Sequence, residues 1–218
     1  MKITRFGHAA LLVELADTRI VIDPGGFSLP EVFTLTDIDV IAVTHQHGDH
    51  ADLTRLPTLL AANPGAVLLA EPEIREQLIA LGGDWKATAV GETTTVGDVV
   101  LTGVGGRHAV IYPEMAGIGN IGLLIKAPGS PTLFHPGDSY EYVPDGVDVL
   151  AVPLSAPWAK ISETVEFVRA VSPSTVFPIH DCTIAEVAYW GYWLRIEEFG
   201  DVENTVLLPQ DGSLTLPS

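Results

Sequence analysis

The chain is poor in cysteine, in positive charge and in long apolar runs. Cys182 is the single cysteine among 218 residues. No intrachain disulfide can form, which excludes a small disulfide-stapled scaffold. Lys and Arg number 11 against 28 Asp and Glu, for a formal charge of −17. Such a surface repels phosphate backbones and anionic lipid headgroups, so neither nucleic acid nor a membrane is an expected partner. No apolar run reaches the roughly 18 residues of a membrane-spanning helix. Residues 1–19 do not read as a signal peptide, because Glu14 and Asp17 interrupt their apolar run. The expectation is a soluble, cytoplasmic protein. G-x-S-x-G and G-x-x-x-x-G-K-[ST] patterns are also missing, which leaves a serine hydrolase or a P-loop enzyme without support.

What is present is apolar. Hydrophobic residues make up 47% and charged residues 18%, which argues against disorder. With no repeat, linker or low-complexity block, residues 1–218 read as one domain. Short β-rich runs lie at 2–6, 10–15, 19–22, 39–44, 66–70, 99–103, 121–126, 132–135, 147–152, 175–179 and 205–208. Val40-Ile41-Ala42-Val43 is continuously apolar, as befits a strand covered on both faces. Between these runs lie helices. One starts near Leu56, one runs from Pro72 to Leu81 before Gly82-Gly83, and one is capped by Ser162 and ends before Pro173. A Thr183/Glu186 capping box would open the last, with Val187, Trp190 and Leu194 on its packed face. Interleaved covered strands and helices predict a layered α/β architecture.

Seven histidines stand in this background, three of them in His45-Gln46-His47-Gly48-Asp49-His50. This cluster follows a buried strand and precedes a helix, at the strand end where α/β proteins place their sites. In an extended segment 45, 47 and 49 point one way, and His50 turns off as the chain curls toward helix. One loop can so offer two imidazoles to one cation and a carboxylate plus imidazole to another. Imidazole and carboxylate suit zinc and similar divalent ions.

The pattern H-x-H-x-D-H after an apolar strand resembles the signature of the metallo-β-lactamase superfamily. His108 in Gly-Gly-Arg-His, Asp138 in His-Pro-Gly-Asp-Ser and His180 in Phe-Pro-Ile-His follow in the family's order. Gly7-His8-Ala9 and Ile22-Asp23-Pro24 are similar to the subgroup containing ascorbate-phosphate lactonase and N-acyl-phosphatidylethanolamine phospholipase D. The resemblance implies a four-layer αββα sandwich with a binuclear site holding two divalent ions, zinc first, with manganese and iron as alternatives. Carried over residue by residue, it implies that His45, His47 and His108 hold one ion, that Asp49, His50 and His180 hold the other, and that Asp138 bridges them. It implies a hydrolase in which hydroxide held by the ions attacks a small ester, lactone or phosphodiester, the first two ranked slightly ahead. The other reading is a metal-binding or sensor protein of the same fold with little turnover.

Asp49 doubles as a catalytic candidate, the carboxylate that accepts a hydrogen bond from the attacking hydroxide. His8 is the second candidate: it either faces the site and polarises substrate or is a satisfied core histidine. His135 reads as a supporting group, and Asp23 as either a partner of a ligand histidine or a turn residue before Pro24. Cys182 reads as a plain loop residue. Tyr112, Tyr140, Tyr142 and Trp158 are candidates for a pocket wall; the Tyr189–Trp193 cluster reads first as helix packing, and a homo-oligomer is left open. Gly117-Ile118-Gly119-Asn120-Ile121-Gly122 fits G-x-G-x-x-G, but a strand follows it, so it reads as a flexible loop beside the site. Asp181-Cys182 and Leu154-Ser155-Ala156-Pro157-Trp158 stand where relatives often carry Tyr-Gly and a Gly-Gly turn. The substrate of a relative therefore does not transfer.

Overall fold

The computed structural model describes residues 1–217. Its strands in the first half are β1 (Lys2–Arg5), β2 (Leu11–Leu15), β3 (Thr18–Ile22), β4 (Val40–Val43), β5 (Val67–Ala70), β6 (Trp85–Ala87) and β7 (Thr93–Val96). They continue as β8 (Val99–Gly105), β9 (Ile121–Lys126), β10 (Leu133–His135), β11 (Val149–Pro153), β12 (Thr175–Ile179), β13 (Asn204–Thr205) and β14 (Ser213–Thr215). A short 3-10 helix (Pro30–Thr34) and four α-helices complete the described residues: α1 (Leu56–Ala62), α2 (Pro72–Ile79), α3 (Ile161–Val171) and α4 (Glu186–Phe199).

Two mixed sheets form, in the orders β14-β1-β2-β3-β4-β5-β6 and β13-β12-β11-β10-β9-β8-β7. Side-chain alternation distributes each strand between two cores. In β4, Val40 and Ala42 enter the cluster between the sheets, while Ile41 and Val43 enter the one that α1 and α2 cover. In β12, Phe177 and Ile179 join the central cluster, and Val176 packs outward with Val165, Val168, Trp193 and Ile196 from α3 and α4. Helix, sheet, sheet and helix are thus held by three apolar layers, the sandwich that the resemblance implied.

Pairing directions put the site at one rim. β3, β4 and β5 are mutually parallel, and so are β10, β11 and β12. The loops after β1, β3, β4, β8, β10 and β12 all leave the C-terminal ends of strands that run one way within their sheet. Cross-sheet backbone bonds tie that rim, from Ile121 N–H to Thr44 O (2.9 Å) and from His180 N–H to His8 O (2.8 Å).

Several expectations are corrected. β6, β7 and β14 escaped the sequence reading: they are short, and β7 and β14 alternate only between exposed and half-buried residues, with no apolar run to mark them. α3 starts at Ile161 after Lys160, so Ser162 lies inside it and does not cap it. The Thr183/Glu186 box does not form, because α4 begins after an extended Ala185 with no side-chain cap. The packed face of α4 is Trp193 and Ile196, whereas Val187 and Trp190 are exposed. Trp190 and Trp193 are three positions apart, but the helix turns its packed stripe toward its C-terminal half, where it meets α3.

Candidate metal centre

The extended picture of the histidine loop holds only through His47. From there the backbone folds into a tight turn, with the N–H groups of His50 and Ala51 both donating to His47 O at 3.0 Å. The turn is backed by Gly25, where a Cβ would lie 1.8 Å from the carbonyl oxygen of Asp49, so only glycine lets the two loops approach. Glycines 25 and 26 were not singled out from sequence, although Asp-Pro-Gly-Gly after a strand is a local signal of close backbone approach.

All seven side chains of the implied ligand set converge. One group is His45, His47, His108 and Asp138; beside it lie Asp49, His50 and His180, joined by His8. His45 Nε2 lies 3.2 Å from His47 Nδ1. Asp138 sits between the groups, its Oδ1 3.0 Å from His50 Nε2 and its Oδ2 3.1 Å from His180 Nε2 and 3.4 Å from His108 Nε2. His180 Nε2 also lies 3.4 Å from Asp49 Oδ2.

The outer nitrogens are spoken for. His50 Nδ1 donates to Asp23 Oδ2 at 2.6 Å, His108 Nδ1 to Ala109 O at 2.6 Å and His180 Nδ1 to Ser155 O at 2.6 Å. Thr44 Oγ1 donates to Asp23 Oδ2 at 2.7 Å and so accepts from His45 Nδ1 at 3.1 Å. Four imidazoles are therefore held as tautomers whose Nε2 lone pairs face inward. Among the described residues, the buried Nε2 atoms of His50, His108 and His180 and Oδ1 of Asp138 find no partner of hydrogen-bond geometry. Buried acceptors aimed at one another are costly unless a cation lies among them. The donor set thus fits divalent ions.

Without a cation, the facing carboxylates favour protons on two of the rings, His50 and His180. Burial by itself would lower His180, but the Asp138 carboxylate outweighs it and raises the ring to about 9. His50 is raised well above its ordinary value in the same way, against burial, by Asp138 and Asp23. Asp138 is held well below the usual carboxylate range, since His50 and His180 outweigh its burial. His45 goes the other way, lowered by burial and by the nearby His50.

His8 differs from the ligands. The Cys182 N–H donates to its Nδ1 at 3.2 Å, so the neutral ring carries its proton on Nε2, 3.3 Å from Asp49 Oδ2. It is fully buried, with its ring centroid 3.9 Å from that of His180 and 6.1 Å from that of His50. Asp23 partners His50 and is no mere turn residue. His135 stays outside both groups, between Ala9 O and the Gly137 N–H. Cys182 has its thiol pushed up to about 11 by partial burial and by Asp181, which keeps the reactive thiolate scarce.

Three supporting residues were missed or undervalued. Asn120 accepts from Asp138 N–H at 2.9 Å and donates to Pro136 O, which steadies the Asp138 turn. Arg5, fully buried, pairs with Asp181 at 2.6 Å beside the last histidine. Trp158 does more than line a wall: its indole N–H donates to Asp138 Oδ2 at 3.1 Å. Tyr140 packs edge-on beside it and donates to Pro153 O, whereas Tyr112 and Tyr142 are exposed. Two hollows flank His108. One of about 410 Å³ meets Arg107, Tyr140, Glu141, Trp158 and Glu163, and one of about 200 Å³ meets His47 and the 109–118 loop.

A sandwich of this kind with histidines and aspartates gathered at its rim defines a protein of the metallo-β-lactamase fold. A metallo-β-lactamase fold protein from Bacillus subtilis superposes with a TM-score of 0.73 at 17% identity, over 98% of both chains. Residues 2–180 match the family described as "Beta-lactamase superfamily domain", and the chain belongs to that superfamily. It is 43% identical to Protein Rv0786c of Mycobacterium tuberculosis over 99% of this chain and all of that one. It is 30% identical to the UPF0173 metal-dependent hydrolase A2cp1_1196 of Anaeromyxobacter dehalogenans, over 95% of this chain and 84% of that one.

Proposed function

We propose that the chain is a binuclear metal-dependent hydrolase of small esters or lactones, with phosphodiesters ranked second. The observation that carries this reading is the inward set of lone pairs with no partner, bounded by two acids. His45, His47 and His108 would hold one ion, Asp49, His50 and His180 the other, with Asp138 shared between them. Zinc is the first choice for such a set; manganese and iron share its ligand preferences. What a pair of such ions supplies is a water of lowered pKa and Lewis-acid polarisation of a carbonyl or phosphoryl oxygen.

The chain's own groups do the rest. Asp23 and Thr44, Ala109 and Ser155 hold the imidazole tautomers, and burial of the rings keeps bulk water from competing. Asp49 offers an oxygen that accepts a hydrogen bond from an attacking water and orients it. His8, with its proton on Nε2 and that atom 3.3 Å from Asp49 Oδ2 without a hydrogen-bond partner, would donate to a substrate oxygen brought into the same space. No side-chain nucleophile is called for.

Elemental analysis of the purified protein tests the metal count, with close to two divalent ions per chain expected and less than one in Asp138→Ala. Full occupancy in that variant would remove the bridging role. A panel of chromogenic esters, lactones and phosphodiesters, with His47→Ala as control, tests turnover. A metal-loaded wild type that is no more active than His47→Ala on every compound would leave the sensor reading in possession.

A further inference from the structure

The loop that supplies His108 also supplies an apolar surface. Residues 106–120 connect β8 to β9, and their base is closed by three backbone bonds. Gly106 N–H meets Asn120 O at 3.0 Å, His108 N–H meets Ile118 O at 3.1 Å and Ala109 N–H meets Asp138 O at 2.8 Å. The last bond ties the loop to the backbone of a proposed ligand, so the position of the loop is set by the site itself.

Above this base the loop presents Val110, Tyr112 and Met115 to water, 72%, 56% and 56% exposed. Three large apolar side chains left open within six residues forgo the burial that stabilises the rest of the chain. They edge the hollow of about 200 Å³ whose other members include His47, His108, Ile111 and Ile118. Apart from those histidines, no ionisable group but the Tyr112 phenol lines it. The hollow is too small for a helix or strand of another protein and large enough for a short acyl chain or one ring. The larger hollow, which shares His108, Ala109 and Val110 with it, is lined by two carboxylates, Glu141 and Glu163, and one cation, Arg107. A dianionic or diester phosphate would meet two carboxylates against one guanidinium there and an apolar wall here.

We propose that the 109–118 hollow is the seat of the substrate's apolar half, and that the substrate is a neutral acyl compound, an ester or lactone with a short aliphatic or aromatic group. This rests on the hydrolase reading for its chemistry, but not for its binding. The carbonyl would lie toward His47 and His108 and the acyl chain along Val110 and Met115.

The chain itself provides the probe, because Met115 has only Met1 for company among methionines. Met1 sits at the opposite end of β1, its amino group bonded to Leu216 O, and serves as the reference. With methyl-labelled methionine, the metal-loaded protein is titrated with hexanamide, a neutral compound that resists hydrolysis. The Met115 methyl resonance should move saturably while Met1 stays still, and Val110→Asp should weaken the effect at least about fivefold. In parallel, p-nitrophenyl acetate, butyrate and hexanoate are compared with bis(p-nitrophenyl) phosphate. Burial of each added methylene should raise kcat/KM roughly threefold, and Met115→Glu should flatten that gradient with metal content retained. A silent Met115, or faster turnover of the phosphodiester than of every ester, would overturn the proposal. Ester hydrolysis with no chain-length gradient and a silent Met115 sinks the hollow and spares the hydrolase. A responsive Met115 with no hydrolysis of any compound does the reverse.

Discussion

The indole N–H of Trp158 reaches into the acid at the centre of the site, donating to Asp138 Oδ2 at 3.1 Å. That oxygen already lies 3.1 Å from His180 Nε2 and 3.4 Å from His108 Nε2. The ring is held edge-on against Tyr140, whose hydroxyl is anchored to Pro153 O. An N–H donor withdraws electron density from a carboxylate and makes it a weaker base and a weaker ligand.

Trp158→Phe keeps the ring and deletes the donor. Asp138 becomes the stronger ligand, so divalent-ion affinity should rise several-fold while kcat falls, because a better-donating carboxylate makes its cations poorer Lewis acids. Competition with a chromogenic chelator reads the first change, and steady-state kinetics the second. A fall in affinity would show that the indole supports the site by packing alone.

Asp23→Asn leaves the shape of the β3 end intact and removes the charge behind His50. His50 Nδ1 donates to this carboxylate at 2.6 Å, with Thr44 N–H and Oγ1 also bonded to it. Loss of a carboxylate behind a ligand histidine typically costs about 10- to 100-fold in metal affinity. Unchanged affinity by the same chelator assay would reduce Asp23 to a turn residue.

Arg5→Met strands a fully buried acid. Arg5 and Asp181 pair at 2.6 Å with both side chains wholly inaccessible, and Asp181 also accepts from Tyr189 Oη at 2.6 Å. Removing one partner of such a pair costs about 3–5 kcal/mol, because an uncompensated charge stays buried. Thermal unfolding should show a drop of roughly 5 °C or more, with poorer metal loading because Asp181 adjoins His180. A wild-type melting temperature would mean that Tyr189 and Gln210 satisfy Asp181 without the guanidinium.

Metal uptake should release protons. The folded value of His180 is raised from 6.5 to about 9 by Asp138, so in the metal-free protein its proton stabilises the fold fully below about 6.5. That contribution is lost as pH rises through about 9. An incoming cation must displace this proton and the one that Asp138 and Asp23 favour on His50, so apparent affinity should weaken at least about tenfold for each pH unit below about 9. Calorimetric titration in buffers of different ionisation enthalpy counts the protons; affinity independent of pH between about 6 and 8 would contradict it.

The site was far more legible than the scaffold around it. His45, His47, Asp49 and His50 announce themselves because four ligand-type side chains crowd six positions after an apolar run. His108, Asp138 and His180 became candidates through a resemblance, since nothing local marks a lone histidine as a ligand. The covered strands β4, β9 and β12 are readable as apolar runs; β7 is not, since its threonines, though strand formers, are exposed or half-buried and give it no apolar face to mark it. The Thr183/Glu186 box failed because a capping pattern is only a local option, and packing against α3 decided where α4 begins.

Composition and local pattern alone determined an acidic α/β chain with a single cysteine and a histidine-rich loop at a strand end, because periodicity and residue chemistry are local properties. Only the tertiary structure decided that Arg5 would serve Asp181, that Trp158 would donate to Asp138 and that Gly25 must be bare against Asp49. Each of those contacts joins segments tens to more than a hundred residues apart or depends on a close approach of two loops. A hydrogen bond is set by ångström-scale geometry, and that geometry exists only once two sheets have packed face to face and brought their strand ends to a common rim.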